Sequence, residues 1–486
     1  MRTAVLRVLA VAATGLAVAC SASPQAPPAQ PTAAPAPAPN AAPNPDAGLT
    51  ERLKTAVTGD GVYRHLGELQ RIADANGGNR ALGTPGYDAS VEYVAQTLRD
   101  AGYRVDTPGF SARSFSVQDV RLTVDGTPVP AASLGFSPAT LPGGASAPLA
   151  VLPQDETSGC ELDDFAGVPA GSVVLIRRGT CPFGQKVTNA AGAGAAAALV
   201  ANNVDGPLTQ ATLGDVTGAV PTAGVSKADG DTLAGRAGAP VTLVLATTIE
   251  ERQSRNVIAQ TTTGDVNNVV MAGAHLDSVP EGPGINDNGS GTAALLETAV
   301  QLGGAPVVTN AVRFAFWGAE EEGLIGSTAY VGGLSEADRE KISLYLNLDM
   351  VGSPNPGYLA YDGDNSDNEG AGPGPEGSAT VERVLLEQLS STGVAAAGTD
   401  FDGRSDYGPF VAVGIPSGGL FTGAEEIKTP EQAQRWGGTA GQPFDPCYHR
   451  ACDRIDTIDR TALDRNTDAV AGSVGRFALS TEGVPA

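Results

Sequence analysis

The 486-residue sequence contains few basic residues and very few histidines. It has 30 Lys and Arg against 54 Asp and Glu, a formal net charge of −24, and only three histidines. Nucleic-acid binding and docking on an anionic membrane face both need a basic surface, so we expect neither. The motif G-x-S-x-G is also absent, so the sequence gives no support to serine-hydrolase chemistry, and the helical zinc motif H-E-x-x-H does not occur either.

No apolar run in the chain is long enough to cross a bilayer as a helix, and this includes the N-terminal run Val8–Ala19. Residues 1–20 are typical of a secretory signal, and their end, Ala17-Val18-Ala19-Cys20, resembles a bacterial lipobox. We therefore expect export, with a lipid on Cys20 that anchors the protein at the outer face of the cell membrane. Ordinary secretion with release is the alternative. Residues 21–47 are rich in Pro and Ala and are predicted to be a disordered tether.

Only five cysteines are present, and the four that follow Cys20 fall into two local pairs. In an oxidising compartment each pair would close a short loop, which favours the disulfides Cys160–Cys181 and Cys447–Cys452. Zinc binding by these cysteines is less favoured because neither pair has C-x-x-C spacing and the pairs fall in different predicted domains.

The rest of the chain shows three patterns of secondary structure. Residues 50–105 have apolar residues at helical spacing. Residues 136–247 combine short strands with many glycines and an Ala-rich stretch, for which we predict a helix from Lys186 to Asn202. After residue 248, apolar runs of buried-strand length alternate with helical stretches, which predicts a mostly parallel sheet with helices on both faces. The clearest of these runs are Val269–Ala274, Val312–Trp317 and Ser343–Leu348.

One segment of the middle region resembles a known module. The run from Gly171 to Lys186 (GSVVLIRRGTCPFGQK), followed by an Ala- and Gly-rich stretch, is similar to a protease-associated (PA) domain. Such domains are small β-rich modules attached to or inserted into exopeptidases and receptors. The resemblance implies an inserted PA domain at residues 114–247.

The candidate chemical groups follow the predicted strands or lie in loops near them. These groups are His275, Asp287, the acidic run Glu320–Glu322, Asp349 and His449. Carboxylates at the ends of apolar strands have no packing rationale, because unpaired carboxylates repel one another there. Two divalent cations would remove that repulsion, and a set of imidazoles and carboxylates suits zinc. Asp277 is placed to accept the second imidazole N–H of His275.

These motifs, taken in order, resemble the secreted bacterial leucine aminopeptidases, the dizinc exopeptidases of metallopeptidase family twenty-eight. The likeness covers residues 60–110 and residue 256 to the end. It implies an α/β fold, a three-layer αβα domain at 48–113 and 248–486 with a mostly parallel central sheet, interrupted by the PA domain.

The resemblance assigns two zinc ions to five residues. One zinc takes His275 and Asp349, the other takes Glu321 and His449, and Asp287 bridges both. Asp349 is also expected to help bind the free α-amine of the substrate.

The resemblance also assigns the catalytic and substrate-binding residues. Glu320 is the general base, Tyr448 stabilises the oxyanion, and Asp277 is not a direct ligand. Gly403 and Arg404 are placed at the substrate.

Peptides with a free N-terminus and a large apolar first residue are the expected substrates, and the enzyme is expected to be a monomer. A calcium site at Asp464 and Asp468 matches some relatives, although the matching N-terminal aspartate is absent. Two other functions stay open. One is another enzyme of the fold, such as a carboxypeptidase, a deacylase or a one-zinc glutaminyl cyclase. The other is a non-catalytic PA-bearing lipoprotein receptor, which the complete ligand set disfavours.

Overall fold

The computed structural model of the protein describes residues 47–485, except residues 209, 210, 215, 217, 369 and 371. The predicted signal peptide, the lipidation site Cys20 and the tether up to residue 46 lie outside the described residues. The first helix, Ala47–Ala56, begins at the last residue of the predicted tether. Within the described part of the chain, no helix is long and apolar enough to cross a membrane.

A first sheet of eight strands is built from residues on both sides of a long insertion. Its four central strands are parallel, and antiparallel pairs occur only toward the edges. The three clearest predicted strands all lie within observed ones. From edge to edge the strands are Arg104–Asp106, Val257–Gln260, Asn310–Trp317, Asp265–His275, Ile342–Leu348, Ser417–Phe421, Leu359–Tyr361 and Ala397–Thr399.

Helices cover both faces of this sheet because successive residues of a strand point to opposite sides. Val270 and Ala272 belong to the core on one face, and Met271 between them belongs to the core on the other. The second face packs against the short helices Ile325–Gly333 and Gly408–Ala412. The predicted three-layer architecture is therefore confirmed. The helices on the first face are Ala47–Ala56, Gly59–Ala75, Pro85–Asp100, Gly291–Leu302, Ser378–Ser391 and Arg460–Leu479.

The insertion forms a second sheet, also of eight strands, between residues 109 and 255. Its two long strands, Gly109–Val124 and Pro240–Arg255, pair antiparallel over nearly their whole length, with one irregularity between Val117 and Asp119, and connect it to the first sheet. The other strands are Thr127–Val129, Ala132–Ser133, Ala145–Val151, Val173–Arg177, Ala197–Ala201 and Thr222–Val225. The helices Phe183–Gly192 and Lys227–Ala234 pack on opposite faces, and the predicted disulfide Cys160–Cys181 is present.

The Ala-rich stretch after Lys186 is not one helix, so that prediction was wrong. The helix ends at Gly192, and Ala197–Ala201 is a strand with every residue buried. Gly194 between them has φ +81°, a left-handed conformation that ends the helix. Alanine favours a helix by itself, but its small side chain also fits a strand that lies between two parallel partners.

Candidate active site

The carboxyl ends of the parallel strands meet at one edge of the first sheet, and the candidate residues lie at this edge. His275 ends its strand, and Asp349 directly follows the neighbouring parallel strand. Glu320 and Glu321 lie in the turn after the strand Asn310–Trp317. Open α/β sheets bind their ligands at this edge, so the fold itself brings these groups together.

Asp287 lies between two histidines. Its Oδ1 is 3.2 Å from Nε2 of His275, and its Oδ2 is 3.2 Å from Nε2 of His449. Oδ1 of Asp349 is 3.3 Å from Nε2 of His275, and Oε2 of Glu321 is 3.0 Å from Nε2 of His449. The five residues thus form two groups of three, each with one histidine, and the groups share Asp287.

These two groups have the donor atoms that a pair of divalent cations requires. In each group, one imidazole nitrogen and two carboxylate oxygens lie within 4.8 Å of one another. Oδ1 of Asp349 and Oε1 of Glu321 are buried and have no hydrogen-bond partner within the described ranges. Buried polar atoms without a partner are costly, and a coordinated cation would satisfy them. Mixed imidazole and carboxylate ligands fit zinc.

Burial and mutual charge shift the titration of these groups. Burial raises the pKa of Glu320 well above its usual range. Burial, followed by the negative charge of Asp287, raises the pKa of Glu321 to about 7. Burial opposes the charged form of His449, but hydrogen bonds with Asp287 and Glu321 raise its pKa to about 10. Raised pKa values mean that these groups bind protons more readily, so a metal ion would compete with protons for the same ligand atoms.

The carboxylate of Asp277 lies closer to the backbone N–H groups of the two glutamates than to the imidazole of His275. Its Oδ1 accepts the N–H of Glu320 and its Oδ2 accepts the N–H of Glu321, both at 3.2 Å. Its Oδ1 lies 3.7 Å from Nδ1 of His275, which is beyond hydrogen-bond distance. Asp277 thus faces the imidazole of His275 at ion-pair distance, and its hydrogen bonds go to the two backbone N–H groups.

Tyr448 and Arg404 line the pocket in front of the two groups, whereas Gly403 is not among the lining residues. The ring of Tyr448 stacks on His449 with centroids 3.8 Å apart, and Nη2 of Arg404 donates to its hydroxyl at 3.2 Å. Burial raises the pKa of Tyr448 above its usual range, so this hydroxyl keeps its proton. The N–H of Gly403 donates to the hydroxyl of Tyr407 instead.

The same pocket also has apolar lining residues. Met350, Tyr361, Phe421 and Ala424 line it. Phe421 ends the glycine-rich strand Ser417–Phe421. The pocket therefore combines charged and apolar lining side chains, as small-ligand sites do.

Two side chains that the sequence analysis missed support the candidate ligands. Oγ of Ser405 donates to Oδ2 of Asp349 at 2.5 Å. The two oxygens of Asp453 accept the N–H groups of Asn286 and Asp287 at 2.7 and 2.9 Å. The only signal in the sequence was position: Ser405 follows the predicted substrate residues, and Asp453 follows the second cysteine of a pair.

The disulfide Cys447–Cys452 closes the loop that carries Tyr448 and His449. His449 has φ +55°, a conformation that is uncommon for residues other than glycine. A short closed loop restricts the conformations available to this residue. The predicted pairing is confirmed, and it places the disulfide directly beside one candidate metal group.

Removal of this disulfide is expected to weaken metal binding at His449 more than at His275. We expect Cys447→Ser/Cys452→Ser to lower one of two zinc affinities by about tenfold to hundredfold, the range seen for lost supporting contacts. Zinc titration of the metal-free protein measures this. Cys160→Ser/Cys181→Ser, in the inserted domain, is the control. If both zinc affinities and the turnover were unchanged, the site would not need this disulfide.

Comparison with known proteins gives the family. The sequence model of Peptidase family M28 matches residues 256–474, and that of the PA domain matches residues 145–233. The probable lipoprotein aminopeptidase LpqL of Mycobacterium tuberculosis (strain ATCC 25618 / H37Rv) is 53% identical over 436 residues, 89% of this chain and 87% of that protein. The chain belongs to peptidase family M28. The predicted family and the predicted PA domain are both confirmed.

Three other proteins are similar to this chain over nearly the same length. Leucine aminopeptidase 2 of Trichophyton rubrum is 41% identical and covers 86% of this chain and 84% of its own length. The solved aminopeptidase from Aneurinibacillus sp. strain AM-1 has a TM-score of 0.73 at 27% identity, over 88% of this chain and 96% of that one. A zinc aminopeptidase from Bacillus subtilis has a TM-score of 0.61 at 26% identity, over 87% and 96%.

Proposed function

We propose that this M28 chain is an aminopeptidase that uses two zinc ions to remove a large apolar residue from the N-terminus of peptides. The observation that carries the proposal is the carboxylate of Asp287, which has one oxygen toward each of two histidines and lines a partly apolar pocket. A two-metal hydrolytic site needs two sets of nitrogen and oxygen ligands, and here the two sets share one carboxylate.

Five side chains would hold the metals. His275 and Asp349 would bind one zinc, Glu321 and His449 would bind the other, and Asp287 would bridge them. Zinc, when bound, supplies Lewis acidity that polarises a carbonyl and lowers the pKa of water.

Glu320 supplies the proton chemistry in this proposal. It is buried beside the first group, with Oε2 3.9 Å from Nε2 of His275, but it belongs to neither group of ligands. As a general base it would take a proton from the attacking water and return it to the leaving amine. The hydroxyl of Tyr448 would donate a hydrogen bond to the oxyanion.

Substrate recognition would use both the charged and the apolar side chains that line the pocket. The carboxylates of Glu320 and Asp349 can bind the ammonium group of a free N-terminus. The apolar side chains of Met350, Tyr361 and Phe421 can accept the first side chain. The name of the leucine aminopeptidase relative supports a leucine-like first residue.

The test is a panel of aminoacyl-p-nitroanilides, each free and N-acetylated. We expect hydrolysis of the free leucine compound only, its loss on exhaustive chelation, and its return with added zinc. Equal cleavage of N-acetyl-leucine-p-nitroanilide, or full activity after chelation, would contradict the proposal. Cyclisation of an N-terminal glutamine without peptide hydrolysis would favour the cyclase alternative, and inactivity toward every compound would favour the receptor.

Location, oligomeric state and calcium binding are further parts of the proposal. The name of LpqL supports an exported, lipid-anchored protein, with the lipid on Cys20 in this chain. The enzyme is expected to act as a monomer. For calcium, Oδ1 of Asp464 already accepts the N–H of Gly59 at 3.1 Å, and burial raises the pKa of nearby Asp468 to about 6. A calcium ion there stays a prediction.

A further inference from the structure

The turn of residues 318–326, the glutamate turn, carries Glu320 and Glu321. Backbone hydrogen bonds join its two ends. The N–H of Gly326 donates to the carbonyl of Gly318 at 3.0 Å, and the N–H of Ile325 donates to that of Ala319 at 2.9 Å. Asp277 holds the tip of this turn, as described above. A second side chain holds its base.

That side chain is Asn256, which is buried. Its Oδ1 accepts the N–H of Gly318 at 3.0 Å, and its Nδ2 donates to the carbonyl of Gly326 at 2.9 Å. One amide group therefore joins the two ends of the turn. The fit is close, because a Cβ atom on Gly326 would lie 2.4 Å from Oδ1 of Asn256.

Asn256 also marks the place where the inserted domain joins the first sheet. It directly follows the long strand Pro240–Arg255, and its N–H donates to the carbonyl of Pro108 at 3.0 Å, just before the other long strand. Phe110, at the start of that other strand, belongs to a small buried cluster with Ala319. The residues at which the insertion joins the first sheet thus contact the glutamate turn directly.

We propose that Asn256 is a positioning residue for Glu320. The residues at which the inserted domain joins the first sheet would then help to fix the geometry of the active site. The proposal rests on the proposed function, because it takes Glu320 as the base. A buried amide with both polar groups engaged fixes the two ends of a turn. Small displacements of a base are expensive in rate, since a misplacement of about 1 Å can cost roughly a hundredfold.

Asn256→Asp is the sharpest variant, because it keeps the shape and the acceptor for Gly318. It replaces the donor with an oxygen that faces the carbonyl of Gly326. We expect kcat to fall by roughly tenfold to hundredfold, while KM stays within about threefold and two zinc ions stay bound. The control is Asn189→Asp, which removes an amide donor to the carbonyls of Gly159 and Cys160 within the inserted domain, and should leave kcat unchanged.

Amide hydrogen exchange gives a readout that needs no activity. In the wild-type protein the N–H groups of Gly318 and Gly326 should exchange slowly, and in Asn256→Asp that of Gly326 should exchange faster. Exchange of the wild-type groups at the rate of an exposed loop would overturn the proposal, whether or not the variant folds. So would wild-type kcat in Asn256→Asp, a fall explained by lost zinc, or an equal fall in Asn189→Asp. Slow exchange in a wild-type protein that cleaves no peptide would instead contradict the proposed function alone.

Discussion

Glu320→Gln is expected to remove most of the turnover and to keep both zinc ions. Glutamine has the shape of glutamate but cannot take a proton from water, and Glu320 belongs to neither ligand group. Loss of a general base costs roughly 10²–10⁴-fold in rate, and we expect a fall in kcat within this range. The measurement is the hydrolysis of leucine-p-nitroanilide together with zinc analysis of the same preparation.

Glu322→Gln is the matched control, because it makes the same chemical change two residues further along the same turn. Glu322 is not among the residues that line the pocket, although burial raises its pKa to about 7. We expect its kcat to stay near that of the wild type. A Glu320→Gln protein that binds only one zinc would show that Glu320 is a ligand, and the roles of Glu320 and Glu321 would then have to be exchanged.

Asp287→Asn should have the broadest effect on the metal site. The two oxygens of Asp287 face different histidines, so one carboxylate serves both groups. Asparagine has one oxygen, and its NH₂ group would point at the second metal. We expect the zinc content to fall at both positions. We also expect kcat to drop at least as far as in the Glu320 variant, by roughly 10²–10⁴-fold or more, because bound metals stabilise the charge of the transition state by several kcal/mol.

Asp402→Asn provides the comparison for this variant. Asp402 lines the same pocket but belongs to neither ligand group. Its Oδ1 accepts hydrogen bonds from the hydroxyl of Tyr407 and the N–H of Arg404, which asparagine can also accept. This variant should keep two zinc ions. If Asp287→Asn also bound two zinc ions and turned over near the wild-type rate, Asp287 would not be a bridging ligand.

The sequence predicts the central strands and the place of two candidate ligand residues at the end of those strands, for a physical reason. Strands buried on both faces read as apolar runs, and the polar residue that follows such a run lies at the edge of the sheet. His275 and Asp349 are of this kind, and the structure places them together. The disulfides followed from the short loops that the local cysteine pairs close.

The remaining contacts could not be predicted, because they join residues far apart in the chain. Ser405 reaches Asp349, and Asn256 reaches the glutamate turn, through polar groups that no local pattern distinguishes from surface residues. The strand Ala197–Ala201 was missed for a related reason. Its alanines favour a helix locally, and only the two neighbouring strands of the second sheet decide otherwise.

Anomalous diffraction at the zinc absorption edge, from crystals of the zinc-loaded protein, tests the central claim most directly. We expect two zinc peaks per chain: one contacts His275 and Asp349, the other contacts Glu321 and His449, and Asp287 lies between them. A single peak in crystals of fully active protein, or peaks bound by other residues, would contradict the two-zinc account of this site.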